Sequence, residues 1–398
     1  MVGEPVRVLF VDHESRLSGG QKDLVDLVGA LPPNVEVHAA LPEGGPLSDS
    51  LAALGASIHL IGMSAGLRKI SRWELGSDPL RIFRLPISIW RTSRSLGKLM
   101  EEIAPHVVHT NSMKSHVLAL APSRTRDIPL VWHVRDVLNQ GWLRRLFAWV
   151  GSHGPLRIVC ISRCVQEQFI GSPALERSLV IYNGIDLDGF SRRTGKDWRR
   201  RFVPRGGLAV GLVGQIARWK GQDLFIEAAA SLAQEYPQAK FFIVGECLFP
   251  ENEGDYEKSL HASVEELGLQ DRIEFLGWSD EPYEVMKALD VVVHASRLPE
   301  PFGRVIVEGM AAGKPVIASD KGAGPEIVRP GEGLLFDPNE PNALSDALGS
   351  LLSGASLRSQ MGIKAASGAW RFGIHRTAEE VMQLYSDLGL THREMVAL

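Results

Sequence analysis

Short, continuously apolar, β-branched runs alternate with longer segments of helical period from one end of the chain to the other. In the first half these runs are residues 6–11, 35–40, 57–61, 107–109, 130–134, 157–161 and 179–181. In the second half they are 208–213, 241–244, 273–276, 291–295, 315–318 and 334–336. Runs this short and this apolar read as strands buried on both faces, which requires parallel sheets covered by helices. A chain of 398 residues is also too long for one ordinary core. The expected class is therefore α/β, with two doubly wound domains.

Composition marks where they divide. After Asn183-Gly-Ile-Asp186 comes an Arg-rich polar stretch, and Pro204-Arg-Gly-Gly207 precedes a fresh strand. The expected plan is a first Rossmann-like domain over 1–190, a linker over 191–206 and a second Rossmann-like domain over 207–370. An internal echo supports it: Gly20-Gln-Lys-Asp-Leu24 and Gly221-Gln-Asp-Leu224 each follow the first strand of their half and open a helix. Open α/β sheets bind ligands at such strand ends, so two domains of this kind would face a central cleft.

The net charge of −4 argues against a general nucleic-acid binder. Three cysteines without CxxC pairing (Cys160, Cys164, Cys247) give neither a disulfide framework nor a zinc site. Cys160 ends a strand-like run and reads as a buried thiol. The first residues lack a charged segment followed by an apolar one, and no apolar run reaches transmembrane length. The expected location is cytoplasmic.

Residues 300–313 carry the most chemistry. A turn-rich loop, Pro299-Glu-Pro-Phe-Gly303, follows a strand, and Arg304-Val-Ile-Val-Glu-Gly-Met-Ala-Ala312 reads as a helix stopped by Gly313-Lys-Pro315. Gly303 stands at the helix start, where free amides and the helix dipole favour a diphosphate. Glu300 lies in the loop, within reach of hydroxyl groups. Glu308 lies inside the helix among Val305, Ile306, Val307 and Met310, where a carboxylate needs hydrogen bonds or exposure.

The run from Glu300 to Ser319 resembles the two-glutamate signature of glycosyltransferase family 4, retaining enzymes of the GT-B fold, and Gly322-Ala-Gly-Pro-Glu326 is similar to the glycine loop after it. The resemblance implies that Glu300 contacts the donor sugar, Glu308 the ribose, and the backbone around Phe302, Gly303, Arg304 and Val305 the diphosphate. Val213-Gly-Gln-Ile-Ala-Arg-Trp-Lys-Gly-Gln222 resembles a second family motif. Lys220 occupies the position whose cation stabilises the leaving diphosphate. Gln215 stands after Gly214 where the family has Arg, and Arg218 is the expected partial substitute. The turns at Gly245 and Gly277 resemble those that approach the nucleobase.

In the first half, His13-Glu-Ser-Arg-Leu-Ser-Gly-Gly20 looks like the family's N-terminal glycine loop. Gly19 and Gly20 would then border the donor phosphates and His13 the acceptor. A plain strand-to-helix turn capped by Ser18 accounts for the same residues. His133 matches the family's active-site histidine, positioning the sugar without acting as a nucleophile. Asn111 and Lys114 lie on one acceptor-side loop, and Arg135 and Asp136 follow His133. Residues 371–398 look like the crossover helix that returns to the first domain.

The resemblance implies transfer with retention from a nucleoside-diphosphate sugar to a hydroxyl of a lipid-linked, saccharide or small-molecule acceptor. UDP-sugars are favoured over GDP-sugars, with no cofactor. No Asp-x-Asp motif sits at a strand end, so no metal is expected. Residues 67–98 interleave eight basic side chains with Trp73, Ile82, Phe83 and Trp90. That suits an anionic membrane surface on the inner face, or a solvated amphipathic helix packed on the sheet. A sugar-nucleotide epimerase and a non-catalytic nucleotide-sugar-binding subunit share the fold, and fold does not choose among them. Gly62-Met-Ser-Ala-Gly66 fits a hydrolase nucleophile elbow, but the polar residues after it do not suit the tight turn an elbow needs.

Overall fold

The computed structural model describes residues 5–69, 86–138, 141–248, 250–279 and 281–389. Two compact units divide the chain. The first takes the described residues of 1–184 together with those of 374–398, and the second takes 185–373.

Every strand-like run becomes a strand. In the first unit these are β1 (Val6–Val11), β2 (Val35–Leu41), β3 (Ser57–Leu60), β4 (Val107–Thr110), β5 (Leu130–Val134), β6 (Arg157–Cys160) and β7 (Ser178–Val180). They form one sheet in the order β3-β2-β1-β4-β5-β6-β7, with every pairing parallel. In the second unit they are β8 (Leu208–Val213), β9 (Ala239–Val244), β10 (Ile273–Gly277), β11 (Val291–His294), β12 (Val316–Ser319) and β13 (Gly333–Phe336). Their order is β10-β9-β8-β11-β12-β13, again parallel throughout. β4, β5, β11 and β12 are buried at every position, which is why their sequences run apolar without alternation. Cys160 ends β6 as a buried free thiol.

Strand order reverses beside β1 in one sheet and beside β8 in the other. The carboxyl ends of β1 and β4, and of β8 and β11, are therefore the switch points where doubly wound sheets leave a crevice.

The first core joins Val8, Phe10, Val107 and Val131 of the sheet to Leu24 and Leu27 of the helix Gly19–Ala30. The helix Ile374–Asp387 completes it with Ile374, Ala378, Val381, Leu384 and Tyr385. That three-to-four-residue spacing puts one apolar stripe on the sheet. In the second unit the helices Gln222–Leu232 and Ala343–Ser353 bury Phe225, Ile226, Leu344 and Leu348 against Val210, Phe241, Ile243 and Val293.

The stretch expected as a linker, 191–206, is instead part of the second unit. It contains the helix Lys196–Phe202. Arg199 donates to the Ala288 and Gly207 carbonyls at 2.7 and 2.8 Å and pairs with Asp290 at 2.9 Å. Arg199 serves this packing, while Arg192, Arg193, Arg200 and Arg201 are exposed. Residues 70–85 of the basic, aromatic segment lie outside the described residues.

Candidate donor site

In the second unit the turn after β8 delivers Lys220. It is a 3-10 turn, Arg218–Lys220, closed by Gly221 in the left-handed region at φ 71°. A Cβ at Gly221 would stand 2.1 Å from the carbonyl oxygen of Ala295, just beyond β11. Only glycine permits that approach. Arg297 donates its amide to the Trp219 carbonyl at 2.8 Å, fixing the turn to the end of β11.

Lys220 meets Glu300 there, Nζ to Oε2 at 2.7 Å. Two further groups converge on the same oxygen: Ser296 donates from Oγ at 3.1 Å and His294 Nε2 lies at 3.3 Å. Burial alone would raise the Glu300 carboxyl, but Lys220 and His294 outweigh it and hold the group below the usual carboxylate range. Glu300 is thus a buried, ionised carboxylate. All three partners use Oε2, so among the described residues Oε1 keeps its acceptor capacity. The Glu300 backbone is clamped as well: its carbonyl accepts from the Ala323 amide at 2.9 Å, and Gly322 forms a bridge with it. Gly322 has φ 74°, and a Cβ there would fall 2.3 Å from Glu300 N and O.

The helix Arg304–Ala311 starts directly after Gly303. Ile306, Val307 and Met310 are buried along it, and Glu308 is buried too. Arg304 donates from Nε to Glu308 Oε1 at 2.8 Å, one turn apart, which satisfies one oxygen of that carboxylate. Phe302 turns its ring into the unit against Phe372.

The remaining glycine turns of this sheet are stitched together. The Gly214 amide donates to the Val244 carbonyl, Gly245 to Gly277, and Ile216 to Glu246, at 2.8, 2.8 and 2.9 Å. This brings Gly214, Gln215, Gly245 and Gly277 to one end of the sheet, where the Gln215 carbonyl accepts from Gln222. Arg218 goes elsewhere: its guanidinium lies over the Tyr256 ring and faces Glu253.

In the first unit, the loop after β1 is organised by Asp12, a buried carboxylate. It accepts from the His13 amide at 2.6 Å, from Asn111 at 2.7 Å and from Gln21 at 3.1 Å. Burial would raise it, but these hydrogen bonds and the nearby His13 leave it below its ordinary value. Asn111 accepts from Arg135 Nε at 2.6 Å, and Arg135 reaches Asn183 at 2.7 Å and Asp23 at 3.2 Å. Asn111 and Arg135, expected on the acceptor side, are thereby committed to a network tying together the ends of β1, β4 and β5. Gly20 packs under the Arg135 side chain. Gly19 opens the helix. Ser18 precedes it, yet its hydroxyl bonds the Gln21 side chain and not a backbone amide, so it caps by position only. Lys114 donates to the Arg68 carbonyl, and the Asp136 carbonyl accepts from Gln168. His133 is buried at the end of β5 with Nδ1 on His109 at 3.0 Å.

Asp12, Asp23, His294 and Ser296 were not singled out from sequence. His294 and Ser296 end β11, the strand before the Glu300 loop, and that position is the signal that marks them.

Comparison with known proteins places this arrangement. The family model described as Glycosyl transferases group 1 matches residues 198–367, and the one described as Glycosyltransferase Family 4 matches 46–188. The D-inositol 3-phosphate glycosyltransferase of Corynebacterium urealyticum is 34% identical over 53% of this chain and 51% of its own length. The chain spans about half the length of several curated relatives it matches. A phosphatidyl-myo-inositol mannosyltransferase of Mycobacterium leprae is 30% identical over 75% of this chain and 70% of its own length. Among solved structures, Anabaena Alr3699/HepE in complex with UDP-glucose is similar with a TM-score of 0.81 and 25% identity. That likeness covers 96% of this chain and 99% of the Anabaena chain. Two parallel Rossmann-like sheets, the two-glutamate segment and these relatives agree: the chain belongs to glycosyltransferase family 4, the glycosyl transferases of group 1, with the GT-B fold.

Proposed function

We propose that this protein transfers a sugar from a nucleoside-diphosphate sugar to an acceptor hydroxyl with retention at the anomeric carbon. The observation that carries the reading is the ionised Glu300, held by Lys220 at the end of β11 and followed at once by a helix N-terminus. Glu300 Oε1 would accept from a hydroxyl of the donor sugar, and the second oxygen of Glu308 from the ribose. The diphosphate would meet Lys220 and the amides at the start of the helix Arg304–Ala311.

The chemistry follows from these roles. The bond between the anomeric carbon and the diphosphate oxygen breaks while the acceptor oxygen bonds to the same face. The departing diphosphate oxygen takes the acceptor's proton. Negative charge grows on the diphosphate, and Lys220 and the helix amides stabilise it without a metal ion. The UDP-glucose bound by the Anabaena protein favours a uridine donor.

The acceptor class includes lipid-linked hydroxyls. Exposed Ile87 and Trp90 on the helix Pro86–Ile103, and Trp142, Leu146 and Trp149 on Gly141–His153, support contact with an anionic bilayer. Binding to vesicles of anionic phospholipid at low salt is the expected result, and its absence removes the membrane part of the reading.

A panel of UDP- and GDP-sugars offered with inositol phosphates, saccharides and lipid-linked acceptors tests the whole proposal. The expected product keeps the donor's anomeric configuration by NMR, with turnover unchanged by chelator. No turnover, inversion, or activity that chelator abolishes and manganese restores would each contradict it.

A further inference from the structure

Tyr385, His109 and His133 form a closed line of side chains in the first unit. Tyr385 comes from the helix Ile374–Asp387, His109 from β4 and His133 from β5. The Tyr385 hydroxyl lies 2.6 Å from His109 Nδ1, and His109 Nε2 lies 3.0 Å from His133 Nδ1. All three side chains are buried, and Phe10 packs on the His109 ring. The line ends at His133 Nε2, a buried ring nitrogen with no hydrogen-bond partner among the described residues.

Polarity along the line follows from counting protons. Among the described residues the Tyr385 hydroxyl has His109 as its hydrogen-bond partner, and a buried O–H left without an acceptor is costly. The phenol therefore donates to His109 Nδ1. His109 is neutral, since burial first and the Arg135 charge second pull it down to about 3. Its one ring proton must then sit on Nε2 and donate to His133 Nδ1. Burial, with Arg135, keeps His133 neutral too. With Nδ1 accepting, the single proton of His133 stands on Nε2.

We infer that Tyr385, acting through His109, locks His133 as a neutral hydrogen-bond donor with its ring proton on Nε2. Tyr385 and His109 are positioning residues in this scheme. The inference rests on the proposed transfer reaction and adds to it: the lone pair of His133 is occupied, so His133 cannot serve as a general base. A helix distant in sequence thereby sets the proton position at the end of β5.

The test uses the full chain labelled with 15N in its histidine rings, read by long-range 1H–15N correlation at neutral pH. In the wild type, His133 should show a protonated Nε2 and an unprotonated Nδ1. Tyr385→Phe keeps the ring and removes the donor, so His133 should become a mixture of tautomers. Its kcat should fall about tenfold or more with donor KM little changed, the mark of a misdirected catalytic hydrogen bond. His109→Gln supplies a carbonyl for Tyr385 and an amide for His133, and should keep the Nε2–H form and most of kcat. His109→Leu should lose both. A protonated Nδ1 in the wild type, or an unchanged tautomer in Tyr385→Phe, overturns the inference. Failure of the transfer reading is separate: it would leave the tautomers as described while no nucleotide sugar turned over.

Discussion

Lys220 and Glu300 have side chains only 19% and 12% exposed, so the two opposite charges are largely buried as a pair. Removing one partner from such a pair leaves an uncompensated buried charge. Lys220→Met should therefore destabilise the second unit by about 3 kcal/mol, and adding Glu300→Gln should recover part of the loss. Urea unfolding of the single and double variants measures this, and a double variant no more stable than Lys220→Met would refute the pairing. The acidic half of the site was legible in sequence because Glu300 and Glu308 sit in one continuous segment. The groups that hold Glu300 were less so. His294 and Ser296 act only because β11 ends beside the loop, and Arg218 stacks on Tyr256, a residue brought near only by folding.

At the scale of elements, the loop after β12 decides where Glu300 stands. Gly322 is left-handed and lies against the Glu300 backbone. Gly322→Ala should cost roughly 1–3 kcal/mol from the strained backbone alone. It should also weaken binding of a UDP-sugar by shifting Glu300. Thermal unfolding with and without UDP-glucose checks both effects, and a variant with wild-type values for each would show that the loop does not position the carboxylate. The strands themselves were readable, since burial on both faces writes a continuous apolar run whose ends fall within a residue or two of the observed ones. Residues 191–206 read as a linker because a charged stretch looks the same whether its arginines face water or reach carbonyls of a neighbouring helix. Arg199 does the second, through contacts with residues 207, 288 and 290 that no local pattern reveals.

At the scale of the whole molecule, the first unit carries a built-in acid sensitivity. His109, His116 and His133 are all buried there, and burial is the leading cause that lowers each of them from an ordinary value of 6.5. Below that value the unfolded chain takes up protons at these rings, while the native chain does not until the lowered values are reached. For His109 that is about 3. Stability should thus be lost as pH falls below 6.5, at about 1.4 kcal/mol per pH unit for each ring. Hydrogen exchange of the β4 and β5 amides between pH 7 and 5 should show it. His116→Phe, which keeps the stacking on Trp132, should flatten the dependence by one ring's share. An unchanged slope would mean that His116 is already protonated in the native state.

The central claim is that Lys220 and the two glutamates hold a nucleotide sugar, and calorimetric titration of UDP-glucose tests it most directly. Wild-type protein should show one saturable site, with Lys220→Met and Glu308→Gln each weakening it at least tenfold, about 1.4 kcal/mol. Variants that bind as tightly as wild type, or a wild type that binds neither uridine nor guanosine diphosphate sugars, would contradict the account.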